Sequence, residues 1–343
     1  MGTTVYLRKG EQTAVNLPTT MRALQQMSLK GPHDMHLMTD APVPVPGPGQ
    51  ILIRVAAAGV NFADVSRAQG TFLNGPQPPY VAGFEAAGEV VATGDGVTSV
   101  RPGTRVAGVG PGAFAEYMVL PAASGVPVPA GWTAQQALGL MVNWPAALAA
   151  VKLGRLAPGE TVLIHAAAGA TGQAAIRVAR HHGATVVATA SPGKHDLVRA
   201  LGVEHVLDAC GADIAAAVLK LTGGRGADLV LESAGGATFG ASLAATRRVT
   251  GRVVVLGLSG GEAALTNWDL VYRHQVQLIG LNLGALIQFT PQLFGEVMRE
   301  LFALIAAGVL KPIEPTTFDL ASGAKVLAAL EARATTGKLA LLP

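Results

Sequence analysis

Hydrophobic and polar positions follow two different patterns along the chain, and the change falls near Ala134. Before it, residues 22–120 carry short apolar runs between Gly, Pro and Asp turns, which is typical of a compact, irregular all-β region. The strands predicted there cover 51–60, 85–94, 105–110 and 113–120.

After Ala134, helical segments rich in Ala and Leu alternate with short apolar β runs. Strands are predicted at 161–166, 184–190, 227–233 and 251–257, and helices at 172–182 and 193–201. Buried strands that alternate with helices predict a parallel sheet covered by helices on both faces. We therefore expect two domains, as the length of 343 residues also suggests.

Composition narrows the class of protein. The mean hydropathy is +0.40, but Gly, Pro, Asn or a charge interrupts every apolar run before it reaches the ~18 residues of a membrane span. The net charge of +3 is too small and too evenly spread to predict a nucleic-acid partner. The single Cys210, expected to be buried, excludes an internal disulfide framework and a four-cysteine zinc site. No secretory signal opens the chain, so we expect a cytoplasmic protein.

The strand predicted at 161–166 runs into a turn of small residues and then into a helix. Ala166 takes the place of the first glycine of the dinucleotide fingerprint, whereas Gly169 and Gly172 occupy its later positions. Gly169 allows close approach of a pyrophosphate, Gly172 allows the helix to pack on the strand, and the helix N-terminus attracts phosphate. The alternative interpretation is a small-residue turn that binds no ligand.

The end of the next strand predicts which coenzyme is bound. An NAD site usually has Asp or Glu there for the ribose hydroxyls, whereas this chain reads Ala190, Ser191, Pro192, Gly193 and Lys194. A hydroxyl and an ammonium suit a 2′-phosphate, which favours NADPH. The alternative is that Lys194 is a solvated lysine at a helix start.

Six segments of the chain resemble a known family. They are GVNFADV (59–65), GFEAAGEV (83–90), GAFAEY (112–117), VNWPAALAAV (142–151), HAAAGATG (165–172) and ATTGKLALLP (334–343). In combination they resemble the medium-chain dehydrogenase/reductase superfamily. Within that superfamily they resemble the zinc-independent NADPH:quinone oxidoreductase (zeta-crystallin-like) branch. The resemblance covers nearly the whole chain from Met21.

The resemblance implies an α/β fold, with a GroES-like β domain, a Rossmann doubly wound parallel-sheet domain and a cleft between them. The implied boundaries are 21–140 with 286–343 for the GroES-like substrate domain and 141–285 for the NADPH-binding domain, with 1–20 as a leader or flexible arm. It also implies a homodimer, which we place around the apolar segment 276–287 because an exposed sheet edge favours pairing.

The resemblance also implies that no metal is bound. Zinc-dependent relatives have Cys where this chain has Asn61 and His where it has Phe84, and they carry a cysteine-rich lobe that is missing here. Glu85 remains, but one carboxylate does not make a zinc site.

Site residues follow from the same comparison. Asn61 and Asp64 are the catalytic candidates, and Phe62, Phe72 and Trp144 the candidates for an apolar substrate pocket. The expected cofactor contacts are Ala166, Gly169, Ala170, Thr171, Gly172, Ser191, Lys194, Ser233, Gly257, Leu258, Ser259, Asn282 and Arg333. Asn61 is either a hydrogen-bond donor to a developing enolate or quinolate oxygen, or an amide that caps a turn.

The chemistry expected from these residues is direct hydride transfer from NADPH, with the protein supplying orientation and a dry site. A quinone or conjugated carbonyl accepts hydride without a Lewis acid, which makes it the expected small-molecule substrate. An enoyl reductase acting on a thioester or enone is equally compatible with the sequence. A third hypothesis, from another class, is a non-catalytic NADPH-binding protein with a structural or RNA-contacting role, against which the low charge argues.

Overall fold

A computed structural model describes residues 17–210 and 213–343. They form two compact units, the first comprising the chain up to Met141 together with Pro312–Pro343, the second Val142–Lys311. Of the predicted N-terminal arm, residues 1–16 lie outside the described residues, and Leu17 is buried against the first unit.

The strands, in chain order, are β1 (Thr20–Gln26), β2 (Met35–Pro42), β3 (Gln50–Val60), β4 (Tyr80–Val81), β5 (Glu85–Thr93), β6 (Arg105–Val109), β7 (Tyr117–Pro121), β8 (Gly125–Pro127), β9 (Thr161–Ile164), β10 (Thr185–Ala190), β11 (His205–Asp208), β12 (Leu229–Glu232), β13 (Arg252–Val255), β14 (Gln277–Gly280), β15 (Thr316–Asp319) and β16 (Leu339–Leu342).

The α-helices are α1 (Phe62–Ala68), α2 (Asn143–Leu153), α3 (Ala170–His181), α4 (His195–Ala200), α5 (Ile214–Leu221), α6 (Ala237–Ala245), α7 (Leu283–Phe289), α8 (Pro291–Ala306) and α9 (Gly323–Glu331). Short 3₁₀ turns cover Pro32–Asp34, Ala122–Ser124, Pro192–Lys194 and Leu320–Ser322, and a π-helical turn covers Asp269–His274.

The first unit is built around β3, which pairs antiparallel with β5, β7 and β16. The seven-stranded sheet has the order β15-β16-β3-β5-β6-β8, with β7 paired to β3 outside this path, and a three-stranded sheet has the order β2-β1-β4. Their inward side chains share a core around Phe114, Leu24 and Met118. The predicted strand at 113–120 begins only at Tyr117, because the residues before it form turns and an isolated bridge.

The region before Ala134 is not purely β, because α1 begins directly after Asn61. The Asp64 carboxylate accepts the Asn61 backbone N–H (2.9 Å), which is one half of a capping box. An Asn followed three residues later by an acid is therefore the sequence signal for a helix in a segment whose apolar pattern predicts strands and turns.

The second unit contains the predicted parallel sheet. Its six strands have the order β11-β10-β9-β12-β13-β14, and every pair in it is parallel. Chain order reverses between β9 and β12, which makes the gap between their carboxyl ends the switch point of a doubly wound sheet. Leu163, Val187, Val230 and Val253 are buried in its core.

The chain returns to the first unit at Pro312, later than the predicted residue 286. Residues 291–306 form α8, which packs on α2, and Lys152 of α2 lies 3.4 Å from Glu296 and 3.8 Å from Glu300. Cys210 is exposed rather than buried, because it follows the end of β11. Across the described ranges, no helix is both long and apolar enough to cross a membrane.

Candidate functional site

Most of the predicted cofactor residues lie directly after strands of the parallel sheet. They follow the carboxyl ends of β9 (Ala166 to Gly172), β10 (Ser191 and Lys194), β12 (Ser233), β13 (Gly257 to Ser259) and β14 (Asn282). Parallel strands present all their carboxyl ends at one edge, so the fold gathers these five loops there. Arg333 is the exception, because it lies in the first unit.

The turn after β9 brings two backbone segments into close contact. A Cβ on Gly172 would lie 2.4 Å from the Ala166 carbonyl oxygen and 2.7 Å from the Ala167 Cα, so only glycine fits there. Ala166 itself has φ 48°, the left-handed region that usually selects glycine. The backbone therefore keeps the conformation of the fingerprint at the position where the sequence departs from it.

The N-terminus of α3 is open for an anion. Gly169 occupies the N-cap position, and within the described chain no side chain caps this helix. Its first backbone N–H groups therefore lack the partners that a capping side chain would provide, and the helix dipole adds positive potential. The Thr171 hydroxyl accepts a hydrogen bond from the Asn143 amide (3.0 Å), which fixes its side chain in the first turn.

Ser191 and Lys194 meet after β10. The Lys194 backbone N–H donates to the Ser191 carbonyl (2.9 Å) and closes a short 3₁₀ turn over Pro192–Lys194. Both side chains are partly buried, and this burial lowers the pKa of Lys194. The hydroxyl and the ammonium thus belong to one tight turn beside the loop after β9.

The loops after β12 and β13 pack on each other. Gly257 lies so close to Ser233 that a Cβ there would be 2.6 Å from the Ser233 carbonyl oxygen, and the Ser259 hydroxyl donates to the same oxygen (3.3 Å). Leu258 is exposed on this loop. Asn282 caps α7 by accepting the Ala285 N–H (3.0 Å), so its side-chain oxygen already has a partner.

A buried polar network supports these loops from below. His165 bonds through Nδ1 to the Thr189 hydroxyl (3.0 Å) and through Nε2 to the Ser242 hydroxyl (2.9 Å). Ser242 also donates to Glu232, whose other oxygen accepts the N–H groups of Ala234 and Gly235 (2.8 Å each). Burial lowers the pKa of His165. The sequence indicated a structural histidine but gave no sign of these partners.

In the first unit, Asn61 belongs to a closed buried cluster with Glu85 and Lys338. The Asn61 amide donates to Glu85 Oε2 (2.8 Å) and to the Gly59 carbonyl (3.3 Å), and its oxygen accepts Lys338 Nζ (2.8 Å). Lys338 also donates to Glu85 Oε2 (2.6 Å), and Glu85 Oε1 accepts the Gly139 N–H. Both amide protons of Asn61 therefore have protein acceptors in this structure, and a catalytic role for it stays a prediction.

Sequence reasoning missed Lys338, although it stands inside the closing motif of the family resemblance. A lone lysine directly before an apolar strand was the available signal, but nothing in the sequence assigns it to Glu85, which lies 253 residues earlier.

Asp64 is fully buried on the inner side of α1. Burial raises its pKa from 3.8 to about 7, although the Asn61 N–H, Arg67 and Lys338 each act to lower it. Oδ1 of this carboxyl has no hydrogen-bond partner. Asp64 is thus a capping acid that is partly protonated near neutral pH, and its assignment as catalytic stays a prediction.

The three pocket candidates are divided between the two units, and their assignment to one substrate pocket stays a prediction. Phe62 begins α1 and is half-buried, whereas Trp144 is buried in α2 of the second unit. The guanidinium carbon of Arg67 lies 4.9 Å from the ring centre of Phe72 and 4.4 Å from that of Phe84. Within the described residues, no group of three or more His, Cys, Asp and Glu lies close enough to hold a metal ion.

Two family models match the chain. The alcohol dehydrogenase GroES-like domain matches residues 47–130, and the zinc-binding dehydrogenase model matches residues 170–303. The first lies in the unit built around β3, and the second covers most of the parallel-sheet unit.

Curated relatives include component PikAII of the pikromycin polyketide synthase from Streptomyces venezuelae, 36% identical over 88% of this chain and 8% of that protein. The chain likewise spans only 14% and 7% of two mycobacterial synthases that it matches. The synaptic vesicle membrane protein VAT-1 homolog from Rattus norvegicus is 32% identical over 88% of this chain and 78% of that protein.

Solved structures agree over the whole fold. A quinone oxidoreductase from Pseudomonas syringae is 32% identical over 94% of this chain and all of that chain, with a TM-score of 0.87. The Escherichia coli quinone oxidoreductase, solved with NADPH, is 28% identical over 94% and 100%, with a TM-score of 0.84. The CurK enoyl reductase is 27% identical over 94% and 99%, with a TM-score of 0.85.

A GroES-like unit joined to a Rossmann unit defines an oxidoreductase of the dehydrogenase type. The chain belongs to the medium-chain dehydrogenase/reductase superfamily, in its quinone oxidoreductase (zeta-crystallin-like) branch.

Proposed function

We propose that this chain binds NADPH and reduces a quinone or a quinone-like conjugated carbonyl compound by direct hydride transfer. The observation that carries the proposal is the meeting of the uncapped α3 N-terminus, the Gly172 contact and the Ser191–Lys194 turn at one edge of the parallel sheet. The NADPH complex of the Escherichia coli relative supports it.

The residues present fit that coenzyme. The first turn of α3 offers unpaired N–H groups to a pyrophosphate, and the Gly172 contact removes the side chain that would block close approach. Ser191 and Lys194 offer a hydroxyl and a cation to a 2′-phosphate, where an acid would repel it. When bound, the nicotinamide supplies the hydride.

The chain's own contribution is positioning. The His165–Ser242–Glu232 network holds the loops after β9 and β12, and the Lys338–Glu85–Asn61 cluster holds the segment that leads into α1. Asn61 and Asp64 act in this structure as positioning residues that keep this segment in one conformation, and a direct catalytic contact of either stays a prediction. A conjugated carbonyl suits such a site, because it accepts hydride without strong electrophilic help.

A second candidate is the reduction of an enoyl thioester or enone. The polyketide synthase relatives and the CurK enoyl reductase favour it. Both candidates use the same coenzyme site, so the acceptor alone distinguishes them.

The test measures NADPH consumption with 1,4-benzoquinone, with crotonyl thioester and with no acceptor. Quinone-dependent turnover supports the first proposal, and turnover with the thioester alone supports the second. Consumption no faster than the blank with either acceptor would reject both.

We also expect turnover to be independent of metal. Asn61 and Phe84 stand at the two ligand positions that the family comparison identifies, and a phenyl ring has no lone pair for zinc. EDTA should leave the rate unchanged, and metal analysis should find no stoichiometric zinc. Activity that EDTA removes and zinc restores would contradict this.

A further inference from the structure

The first unit contains a cavity of about 300 Å³, at the lower end of the range for small-molecule pockets. Segments from β1, α1, β4 and β7 line it. Six of the side chains around it are Met21, Arg67, Pro76, Tyr80, Tyr117 and Val119. The wall is mainly apolar, and Arg67 is the charged group in it.

Arg67 is held in place by aromatic rings rather than by an acid. Its guanidinium carbon lies 4.9 Å from the Phe72 ring centre and 4.4 Å from that of Phe84. Its Nε is buried and has no hydrogen-bond partner. The ion pairs found across residues 17–210 and 213–343 do not include it.

Asp64, one helical turn earlier, compensates this cation incompletely. One of its oxygens accepts the Asn61 N–H, and burial raises its pKa to about 7 against the opposing influence of Arg67 and Lys338. Part of the population therefore carries a neutral Asp64 at neutral pH. The Arg67 guanidinium thus stacks on aromatic rings, has an unpaired Nε–H donor, and has its charge only partly neutralised by Asp64. A guanidinium in this state is suited to bind an anion.

We propose that this cavity binds a small apolar carboxylate, whose anionic group pairs with Arg67 and whose hydrocarbon part lies against Met21 and Val119. The planar guanidinium offers two parallel N–H groups to a carboxylate, and the apolar wall favours a hydrocarbon chain. The cavity volume leaves room for a short hydrocarbon chain beside the carboxylate. The residues that line the cavity belong to the first unit, whereas the dinucleotide loops belong to the second.

The first test compares hexanoate with 1-hexanol by isothermal titration calorimetry on the full chain without coenzyme. Both probes share one hydrocarbon chain and differ in charge. Hexanoate should bind with a dissociation constant on the order of 1 mM or below, about 10–100-fold more tightly than hexanol. Equal affinities for the two probes, or no saturable binding of hexanoate, would overturn the proposal. This test needs only the parent protein.

The second test locates the site. Arg67→Leu keeps an apolar stem and removes the cation, so hexanoate should fall to the affinity of hexanol while hexanol is unchanged. Arg54→Leu is the matched control, because Arg54 lies on β3, is exposed, pairs with Glu89 (3.3 Å) and does not line the cavity. Hexanoate affinity that survives Arg67→Leu, or that falls equally in Arg54→Leu, contradicts the assignment.

Arg67→Lys covers the case in which Arg67→Leu does not fold, as judged by circular dichroism. Lysine keeps the charge but loses the planar pair of donors, so hexanoate should weaken several-fold and hexanol should not change. An Arg67→Lys protein that binds hexanoate as tightly as the parent would show that the guanidinium is not the anion-binding group.

Discussion

At the scale of single residues, burial changes the behaviour of Asp64. Its pKa rises from 3.8 to about 7 in the folded protein, so the native state binds the proton more tightly than the unfolded state does. The stability that this proton contributes is fully present below about pH 4 and is lost as the pH rises through about 7. Ionised Asp64 therefore destabilises the protein at alkaline pH.

Asp64→Asn tests this effect, because an amide is neutral at every pH and its oxygen can still accept the Asn61 N–H. The free energy of unfolding of the variant, relative to the parent, should rise by about 2–3 kcal/mol between pH 5 and pH 8. Urea titrations of both proteins at the two pH values measure the difference, in which other titrating groups cancel. A difference that does not change with pH would contradict the raised pKa.

Lys194 should decide the choice of coenzyme. One or two charge-assisted hydrogen bonds to a 2′-phosphate predict that NADPH binds about 10–100-fold more tightly than NADH. Lys194→Ala should remove most of this preference and leave NADH affinity unchanged, as fluorescence titration with each coenzyme would show.

Lys220→Ala is the matched control for that variant, because Lys220 is exposed in the last turn of α5, before the amino end of β12. It should leave both affinities unchanged. Equal affinities for the two coenzymes in the parent protein would refute the assignment of Ser191 and Lys194.

At the scale of elements, the contact between α3 and the turn after β9 should be essential for coenzyme binding. Gly172→Ala would place a methyl group 2.4 Å from the Ala166 carbonyl oxygen, which forces the helix N-terminus away from the turn. We expect NADPH affinity to fall at least tenfold and the protein to lose on the order of 1–3 kcal/mol of stability.

Gly240→Ala provides the comparison, because Gly240 lies in α6 and a new Cβ there would meet no atom within 4 Å apart from its chain neighbours and the backbone of its own helix. Alanine in a helix interior should stabilise it by about 0.5–1 kcal/mol and leave NADPH binding intact. Similar effects of the two substitutions in calorimetric titration and thermal unfolding would show that the close contact is unimportant.

The elements differ in how well the sequence predicted them. Four of the six strands of the parallel sheet were predicted to within a few residues, because buried strands such as β9 and β10 are continuous apolar runs bounded by glycine. The two edge strands, β11 and β14, are less buried and were not among the predicted strands. The helix α1 was missed, because seven residues make only about two turns and do not show a hydrophobic period of 3.6 residues. The sequence signal for this helix lies instead in the cap at Asn61. These local patterns predicted the parallel sheet with its helices, whereas the GroES-like and Rossmann assignments came from the family resemblance.

The candidate sites also differ in how well the sequence predicted them. The loop residues from Ala166 to Lys194 follow strand ends that the sequence already predicts, so their common edge was predictable. The cluster of Asn61, Glu85 and Lys338 was not, because its members come together only when β16 pairs with β3. The Arg67 contact with Phe84 likewise depends on tertiary packing between α1 and the segment before β5.

At the scale of the whole molecule, the first unit is completed by the end of the chain. β16 covers one side of β3, and Lys338 brings the cation that compensates the buried Glu85. A buried carboxylate without its partner costs several kcal/mol, so the first unit depends on residues that follow the second unit in the sequence.

The proposed homodimer also belongs to this scale. β14 is the edge strand of the parallel sheet, and Leu278 on it is 36% exposed, with Ile287 and Phe289 of α7 exposed nearby in the sequence. An apolar sheet edge of this kind invites pairing, and a two-fold axis would cover it with the same surface of a second chain. The alternative, that 276–287 is an ordinary core strand of a monomer, fits this exposure poorly.

Light scattering at micromolar concentration decides the oligomeric state, because a mass near 34.8 kDa would exclude the dimer. Leu278→Glu tests its location, since a charge at the centre of the paired edge should shift the protein to monomer while the fold persists. Leu281 lies in the same segment but is not suited to this test, because it is buried and a charge there would disrupt the second unit itself. Leu73→Glu is the control, as Leu73 is 84% exposed in the first unit and its substitution should leave the mass unchanged. If the dimer survives Leu278→Glu in a folded protein, the interface lies on another surface.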